Sequence, residues 1–310
     1  MSQAESTAES PSVPARAVPD HPALLTPLPR GDASGWRGHS VIPGFNLTLG
    51  LTLLWLSLIV LIPLAALFVK TAELTPEHIV NILTSTRTLN ALKISFGLSL
   101  VAAAINLVLG AVIVWALVRY DFPGRRILDA LIDIPFALPT AVAGIALTTL
   151  YAENGWIGSW LAPLGIRVSF TPLGILVALI FIGLPFVVRT VQPVLEDLDH
   201  ELEEAATTLG AGRLTTIRRI VLPAVLPAFL TGFALAFARA VGEYGSVIFI
   251  AGNLPNVSEI APLLIVIRLE EFRYADATTI AVTMLVAAFI LLFIINGLQR
   301  WSETRTGRAG

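Results

Sequence analysis

The sequence predicts an all-α integral membrane protein of about six transmembrane helices, with a short cytoplasmic helical element between the fourth and fifth. Three observations predict it. The chain has 310 residues, of which 55% are hydrophobic and only 14% charged, and its mean hydropathy is +0.79. A soluble domain carries roughly a quarter charged residues. Apolar runs fall at 47–69, 89–118, 128–151, 172–194, 224–252 and 278–298, and about 20 residues suffice to cross a bilayer. The longest polar interruption between those runs, 196–223, keeps a helical period instead of reading as a loose loop.

Residues 1–40 are of another kind. Ser, Ala, Pro and acidic residues dominate, and Pro11, Pro14, Pro19, Pro22, Pro27 and Pro29 deny the segment a regular helix, so a disordered extension is expected. No basic patch leads directly into an apolar core with a small-residue cleavage site, which argues against a signal peptide. The membrane domain is expected over 41–301, with 302–310 as a cytoplasmic tail. Pro63, Pro135, Pro139 and Pro185, with glycines such as Gly97, Gly110, Gly144, Gly183 and Gly232, lie in or beside the apolar runs. Membrane helices tolerate such residues, which allow bends or close helix contacts.

Orientation follows from the basic residues of the loops. Arg119, Arg125, Arg126, Arg189, Arg213, Arg218, Arg219, Arg300, Arg305 and Arg308 lie on one side of the six-span arrangement; Lys70, Arg87, Lys93, Arg167, Arg268 and Arg273 lie on the other. The first set is heavier and more clustered, so that side, with both termini and the 196–223 element, is expected to be cytoplasmic.

Within that element Leu202, Ala205, Ala206 and Leu209 recur at i, i+3, i+4 and i+7, the stripe of an amphipathic helix. Glu201, Glu204 and Thr208 fall on the opposite face. Acids crowd the helix start, where the macrodipole favours them. Gly210 and Gly212 are expected to supply positive φ and turn the chain. A second stripe, Leu214, Ile217, Ile220 and Val221, follows among Arg213, Arg218 and Arg219, and Pro223 is expected to break it. A capped helix–turn–helix with a small-residue face, held between membrane spans, suggests a docking element.

Two segments carry polar chemistry inside the apolar runs. In the fifth, Arg239 and Glu243 are ionisable groups in a lipid-like sequence, expensive there and expected to face the bundle interior or a water path. Four residues apart, they share a helical face and can pair. Gly242, Gly245 and Ser246 beside them would leave room for an ion to pass. A structural ion pair that fixes helix packing explains the same spacing. In the third run, Pro135 and Pro139 break or bend the helix, and Thr140, Ala141, Ala143 and Gly144 open a close-contact face. That face suits a pore-lining helix or a packing seam.

Catalysis by the chain itself finds no support. The sequence contains no cysteine, which removes disulfides, thiolate nucleophiles and thiolate metal sites. A formal charge of −2 offers no large basic surface for nucleic acid. Lys70-Thr71 has no glycine loop before it, so there is no phosphate-cradling loop. His21, His39, His78 and His200 are far apart, and the acids at 196–201 lack the turn glycine of a calcium loop. No cofactor and no metal are expected in this chain.

The residues also carry a resemblance. Glu204-Ala205-Ala206, Gly210 after three residues, and Ile220-x-Leu222-Pro223 after nine more resemble the EAA signature of ABC importer membrane subunits. The segments 133–144, 186–193 and 242–253, with Arg119-Tyr-Asp-Phe-Pro-Gly-Arg125, are similar to sulfate/thiosulfate permeases of that group, nearest the T-type (or U-type) subunit. The match runs over about 41–301. Tyr244 stands where Phe is usual, and the Pro-rich start has no counterpart. Molybdate and tungstate permeases share the fold and a similar fifth-span motif, so they are the nearest alternative. A secondary anion transporter is the other, but it would more often show inverted repeats, which are not evident.

The resemblance implies a type I ABC importer permease fold in a bacterial inner membrane. It implies ATPase coupling through Glu203, Glu204, Ala205, Ala206, Gly210, Ile220, Leu222 and Pro223. It implies a translocation path past Pro139, Thr140, Gly144, Arg239, Gly242, Glu243, Tyr244, Gly245 and Ser246. Two copies of a cytoplasmic ATPase would hold ATP and Mg. A second permease subunit, homologous or identical, and a periplasmic sulfate-binding protein would complete the machine.

Overall fold

A computed structural model describes residues 45–305; the expected extension at 1–40 and the tail beyond Arg305 lie outside the described residues. The chain divides into two units, 1–56 and 57–310. Within the first, α1 (Phe45–Leu56) exposes Leu47, Leu49, Leu51, Leu53, Leu54 and Trp55. A helix apolar on every side has no face suited to water.

The second unit opens with a π-helical turn, Ser57–Leu61, and continues as α2 (Ile62–Ala72), α3 (Pro76–Thr84) and α4 (Thr86–Arg119). Next come α5 (Arg125–Ile132), α6 (Ile134–Ala137), α7 (Thr140–Tyr151), α8 (Gly158–Leu161) and α9 (Pro172–Glu196). Then follow α10 (His200–Thr208), α11 (Arg213–Thr216), a second π-helical turn (Ile217–Val221), α12 (Leu222–Val241), α13 (Val247–Ile250), α14 (Ala261–Glu270) and α15 (Tyr274–Arg305). Strands are absent among the described residues. Among the described residues, five helical runs are long and apolar enough to cross a membrane: Leu47–Ala72, Thr86–Arg119, Pro172–Glu196, Arg213–Val241 and Tyr274–Gly297.

The third expected span is helical but divided. Gly124, at φ 91°, turns the chain into α5. Pro135 opens α6, where its missing N–H is no loss. Pro139 then forces Leu138 into an extended conformation (ψ 133°), which ends α6. What remains, α7, is a 12-residue helix, about 18 Å long and shorter than the roughly 30 Å hydrocarbon layer.

Helices α4, α9 and α12 pack on one another at the centre of the unit, and α15 lies against α12 and α14. The buried face of α4 is its small and polar one: Ala91, Ser95, Ser99, Ala102, Ala103, Asn106 and Gly110. Leu100, Val101, Val108, Leu109 and Val112 face outward. Lipid is as apolar as leucine, so burial of leucine between membrane helices gains little, and close approach of backbones decides which face turns inward. A Cβ at Gly110 would lie 2.7 Å from Val187 Cγ1, and one at Gly232 would lie 3.0 Å from Val187 Cα. Val187 of α9 is therefore locked between glycines of α4 and α12.

Two expectations about the 196–223 element need correction. Gly212 has φ −72°, an ordinary value, and serves as the N-cap of α11; Gly210 alone of the two has positive φ, 84°. Nor does Pro223 break the second helix. The run Arg213–Val241 is continuous, because the π-helical turn Ile217–Val221 widens the coil just before Pro223. Wider winding relieves the clash of a proline ring with the carbonyl four residues back.

Candidate functional site

Helix α10 starts where Asp199 Oδ1 accepts the Glu201 N–H at 2.9 Å, an N-cap bond. It ends in a Schellman motif: Ala211 N–H donates to Ala206 O at 3.0 Å and Gly210 N–H donates to Thr207 O at 2.9 Å. The motif needs a left-handed residue at Gly210, where nothing crowds an added Cβ and the backbone alone makes the demand. One side of α10 is tethered. Glu203 pairs with Arg119 at the end of α4, and the Arg119 guanidinium lies 5.6 Å from the centroid of the Trp115 ring. Ala206 is buried beside this tether.

The remainder of the predicted stripe is uncovered. Leu202 is 51% exposed and Leu209 88%, with Ala205 exposed between them and Glu204 exposed at the edge. Leu214, just beyond the turn, is 71% exposed. Apolar side chains fixed on a short, capped, charge-tethered helix form a surface suited to a protein groove. Ile220, Leu222 and Pro223 do not join that surface; they sit in the π-helical turn and the first turn of α12.

Arg239 and Glu243 pair at 2.5 Å, but not as neighbours on one helix. Helix α12 ends at Val241 with Gly242 as its cap, so Glu243 lies beyond it. The Glu243 carboxylate turns to the next element. Its Oε1 accepts the Ser246 N–H at 2.8 Å and the Ser246 hydroxyl at 2.9 Å, just ahead of α13. The Glu243 side chain is 2% exposed and that of Arg239 33%.

The small residues around this pair are packed. A Cβ at Gly144 would lie 2.4 Å from Ser246 O, and one at Gly245 would lie 2.2 Å from Thr140 Oγ1. Ser246 is fully buried. The expectation that Gly245 and Ser246 leave an open face is therefore corrected: α7 fills it, and the glycines exist for that contact. Gly242 and Pro139 are exposed, and Thr140 and Tyr244 are half-buried. Serine hydroxyls of α4 reach the same region. Ser95 Oγ accepts the Ala261 N–H at 2.8 Å, and a small space lined by Ser95, Ser99 and Glu243 separates α4 from the chain beyond α12.

Sequence reasoning missed a second charged cluster. Arg189 of α9 grips Asp133 with both arms of its guanidinium (Nε to Oδ1 at 2.8 Å, one terminal nitrogen to Oδ2 at 2.7 Å). It also donates to Asp129 Oδ1 at 2.7 Å and to Gln192 Oε1 at 2.8 Å. The clamp ties the divided third run to the end of α9 from which the chain enters α10. At the opposite end, Arg87 makes a two-armed contact of 2.7 and 2.6 Å with Glu259, which is 1% exposed. Arg189 inside an apolar run and Arg87 at the edge of one were visible signals, but their partners are 56 and 172 residues away in sequence.

A multi-helical membrane bundle with a tethered, apolar-faced helix exposed between two of its spans is the arrangement of a membrane transport subunit. The chain belongs to the binding-protein-dependent transport system inner membrane components, whose family model matches residues 106–308. Among its relatives is the sulfate transport system permease protein CysT of Synechococcus elongatus, 52% identical over 83% of this chain and 92% of that one. The CysT protein of Escherichia coli is 49% identical over 84% of this chain and 94% of that one. In fold the chain resembles a bacterial ABC transporter involved in the import of alginate, with a TM-score of 0.69 at 16% identity, over 83% of this chain and 96% of that one. Those likenesses agree with the type I importer permease fold.

Proposed function

We propose that this chain is the permease subunit of an ABC importer that moves sulfate or thiosulfate inward, driven by ATP hydrolysis on a separate subunit. The importer reading rests on the exposed Leu202–Ala205–Leu209 face of a helix anchored to α4 through Glu203 and Arg119. The choice of anion is supported by the names of relatives about half identical to this chain.

Two copies of a cytoplasmic ATPase, holding ATP and Mg, take the docking face of this chain and of a second permease, homologous or identical. A periplasmic sulfate-binding protein delivers the anion. Both termini and α10 face the cytoplasm of a bacterial inner membrane, since the heavier arginine set lies on that side. Coupling uses Glu203, Glu204, Ala205, Ala206 and Gly210, with Ile220, Leu222 and Pro223 carrying the motion into α12. Pro139, Thr140, Arg239, Gly242 and Tyr244 face the path; Gly144, Glu243, Gly245 and Ser246 form its packed wall. ATP binding shifts the permease toward one arrangement only if that arrangement binds the closed ATPase pair more tightly.

The test is co-purification of the chain with its ATPase and second permease, reconstitution with the binding protein, and measurement of ATP hydrolysis and uptake for sulfate, thiosulfate, molybdate and tungstate. Sulfate or thiosulfate should stimulate both. Stimulation by molybdate or tungstate alone would assign another oxyanion, and transport without ATP would refute the importer reading.

A further inference from the structure

The segment between α7 and α9 has no part in the proposed transport chemistry, yet it is built with care. It carries Trp156 at 83% exposure, Trp160 at 80% and Leu164 at 71%. Trp156 precedes the helical turn 158–161 that carries Trp160, and Leu164 ends the tighter turn 162–164 that follows it.

The segment does not project away from the bundle. After Ala152 it doubles back along the last turn of α7. Ile157 N–H donates to Leu150 O at 3.1 Å, and Gly155 N–H donates to Ala152 O at 2.8 Å. The returning limb is fastened at the same level by the Ser169 hydroxyl, which donates to Thr148 O at 2.9 Å. Close approach demands glycine twice: a Cβ at Gly158 would lie 1.7 Å from Ala152 O, and one at Gly155 would lie 2.2 Å from Thr149 O. The exposed tryptophans are therefore held level with the final turn of an apolar helix. The limb from Ser169 leads directly into Pro172, the first residue of the spanning helix α9, and the start of a spanning helix lies near the headgroups, here on the side opposite α10. The charges gather elsewhere. Glu153 and Arg167 pair at 3.0 Å beside a hollow of about 270 Å³ that Asn154 and Ser169 also line, and neither tryptophan nor Leu164 borders it.

Tryptophan favours the boundary between headgroups and acyl chains, where an apolar ring and a polar N–H are both served. A short element whose exposed tryptophans stand clear of its ion pair suits that plane. We infer that residues 156–164 lie in the lipid interface as an anchor, Trp156, Trp160 and Leu164 entering the acyl boundary while Glu153 and Arg167 stay in water. The anchor sets the depth of α7, whose Gly144 packs on Ser246. It rests on the membrane fold and not on the anion carried.

This chain has no cysteine of its own to remove, so an introduced one is its sole thiol, and any cysteines of the partner subunits are replaced first. Single cysteines at Asn154, Trp156 and Trp160 are spin-labelled in the assembled transporter, in nanodiscs of phosphatidylethanolamine and phosphatidylglycerol. Collision with oxygen, which partitions into lipid, is compared with collision with a water-soluble nickel chelate. The oxygen-to-nickel ratio at 156 and 160 should exceed that at 154 by at least about threefold, as for an interface element. Equal ratios, or labels at 156 and 160 that neither reagent reaches, would overturn the inference, the latter by showing a protein partner on that surface. A second reading avoids labels. Phospholipids brominated near the carbonyl should quench part of the native tryptophan fluorescence, and W156F/W160F should lose that part. Unchanged quenching in this double variant would also overturn it. Neither measurement depends on uptake, so failure here and failure of the sulfate reading are separable.

Discussion

The Arg239–Glu243 pair should respond unequally to loss of its two members. Arg239→Gln leaves a carboxylate whose side chain is 2% exposed. Its Oε1 keeps the Ser246 N–H and hydroxyl, but its Oε2 loses the guanidinium. An uncompensated buried charge costs about 3–5 kcal/mol. Glu243→Gln is milder. The amide oxygen can keep the Ser246 bonds, and the arginine, 33% exposed, can turn its head toward the open side; loss of a charged hydrogen bond is then about 1–3 kcal/mol. The double variant should sit near the Glu243 single, because no bare charge remains. Arg239→Gln should therefore lower the melting temperature of the assembled complex by several degrees, and Glu243→Gln by less. The assay is thermal unfolding and complex yield for both singles and the double, with sulfate uptake alongside. Equal losses, or a larger loss for Glu243→Gln, would refute the assignment of Glu243 as the buried member. Uptake restored in full in the double variant would remove Arg239 from the path and leave the pair a packing element.

The other predictions bear on separate parts of the molecule. Gly210→Val should leave the subunit in the membrane but uncouple uptake from ATP hydrolysis, since a left-handed backbone at φ 84° costs a side chain about 1–2 kcal/mol; normal coupled transport would show the Schellman turn to be dispensable. Gly144→Ala should destabilise the complex by about 1–3 kcal/mol through overpacking, offset in part by about 1 kcal/mol of helix propensity, because Ser246 O stands 2.4 Å from the new methyl. Its readout is melting temperature, and a rise would mean that α7 moves freely against the 245–246 turn. Arg189→Lys should loosen the divided third run, seen as faster amide exchange in α5 and α6, because an ammonium cannot reproduce the fork on Asp133; exchange as slow as in the native chain would show Asp129 and Gln192 to suffice. Single cysteines at Thr208 and Asn154 should divide under a membrane-impermeant thiol reagent in intact cells, with 154 reacting and 208 protected, and the reverse would invert the orientation.

Much of this was legible because lipid imposes length and capping imposes type. The apolar runs had to be helices, and Gly210 and the 202–209 period placed α10 from local chemistry alone. Legibility failed where tertiary contact decides. No hydropathy pattern marks Ala91, Ser99, Asn106 and Gly110 as the buried side of α4, because the inward face of a membrane helix is its small one and the outward face its greasy one. The grip of Arg189 on Asp129 and Asp133 was invisible for a simpler reason: nothing local joins residues so far apart.

Pro223 and Gly242 misled in opposite directions, and together they explain how the two candidate regions are joined. Proline at 223 looked like a break, yet the π-helical turn before it keeps the helix whole from Arg213 to Val241. At Gly242 the sequence continued apolar to 252, yet the helix stops, because Glu243 folds back to cap the chain ahead of α13 and the bare backbone at 245–246 receives α7. One continuous helical run of 29 residues, about 43 Å long, thus begins just past the Gly210 turn and ends at the Glu243–Ser246–Gly144 contact. A second connection runs from Glu203 through Arg119 into α4, whose Ser95 and Ser99 border the same buried carboxylate. The α10 tether and the seam are thus joined along two helices that are packed on each other and on α9. The seam, and not either charge alone, is where those two connections meet.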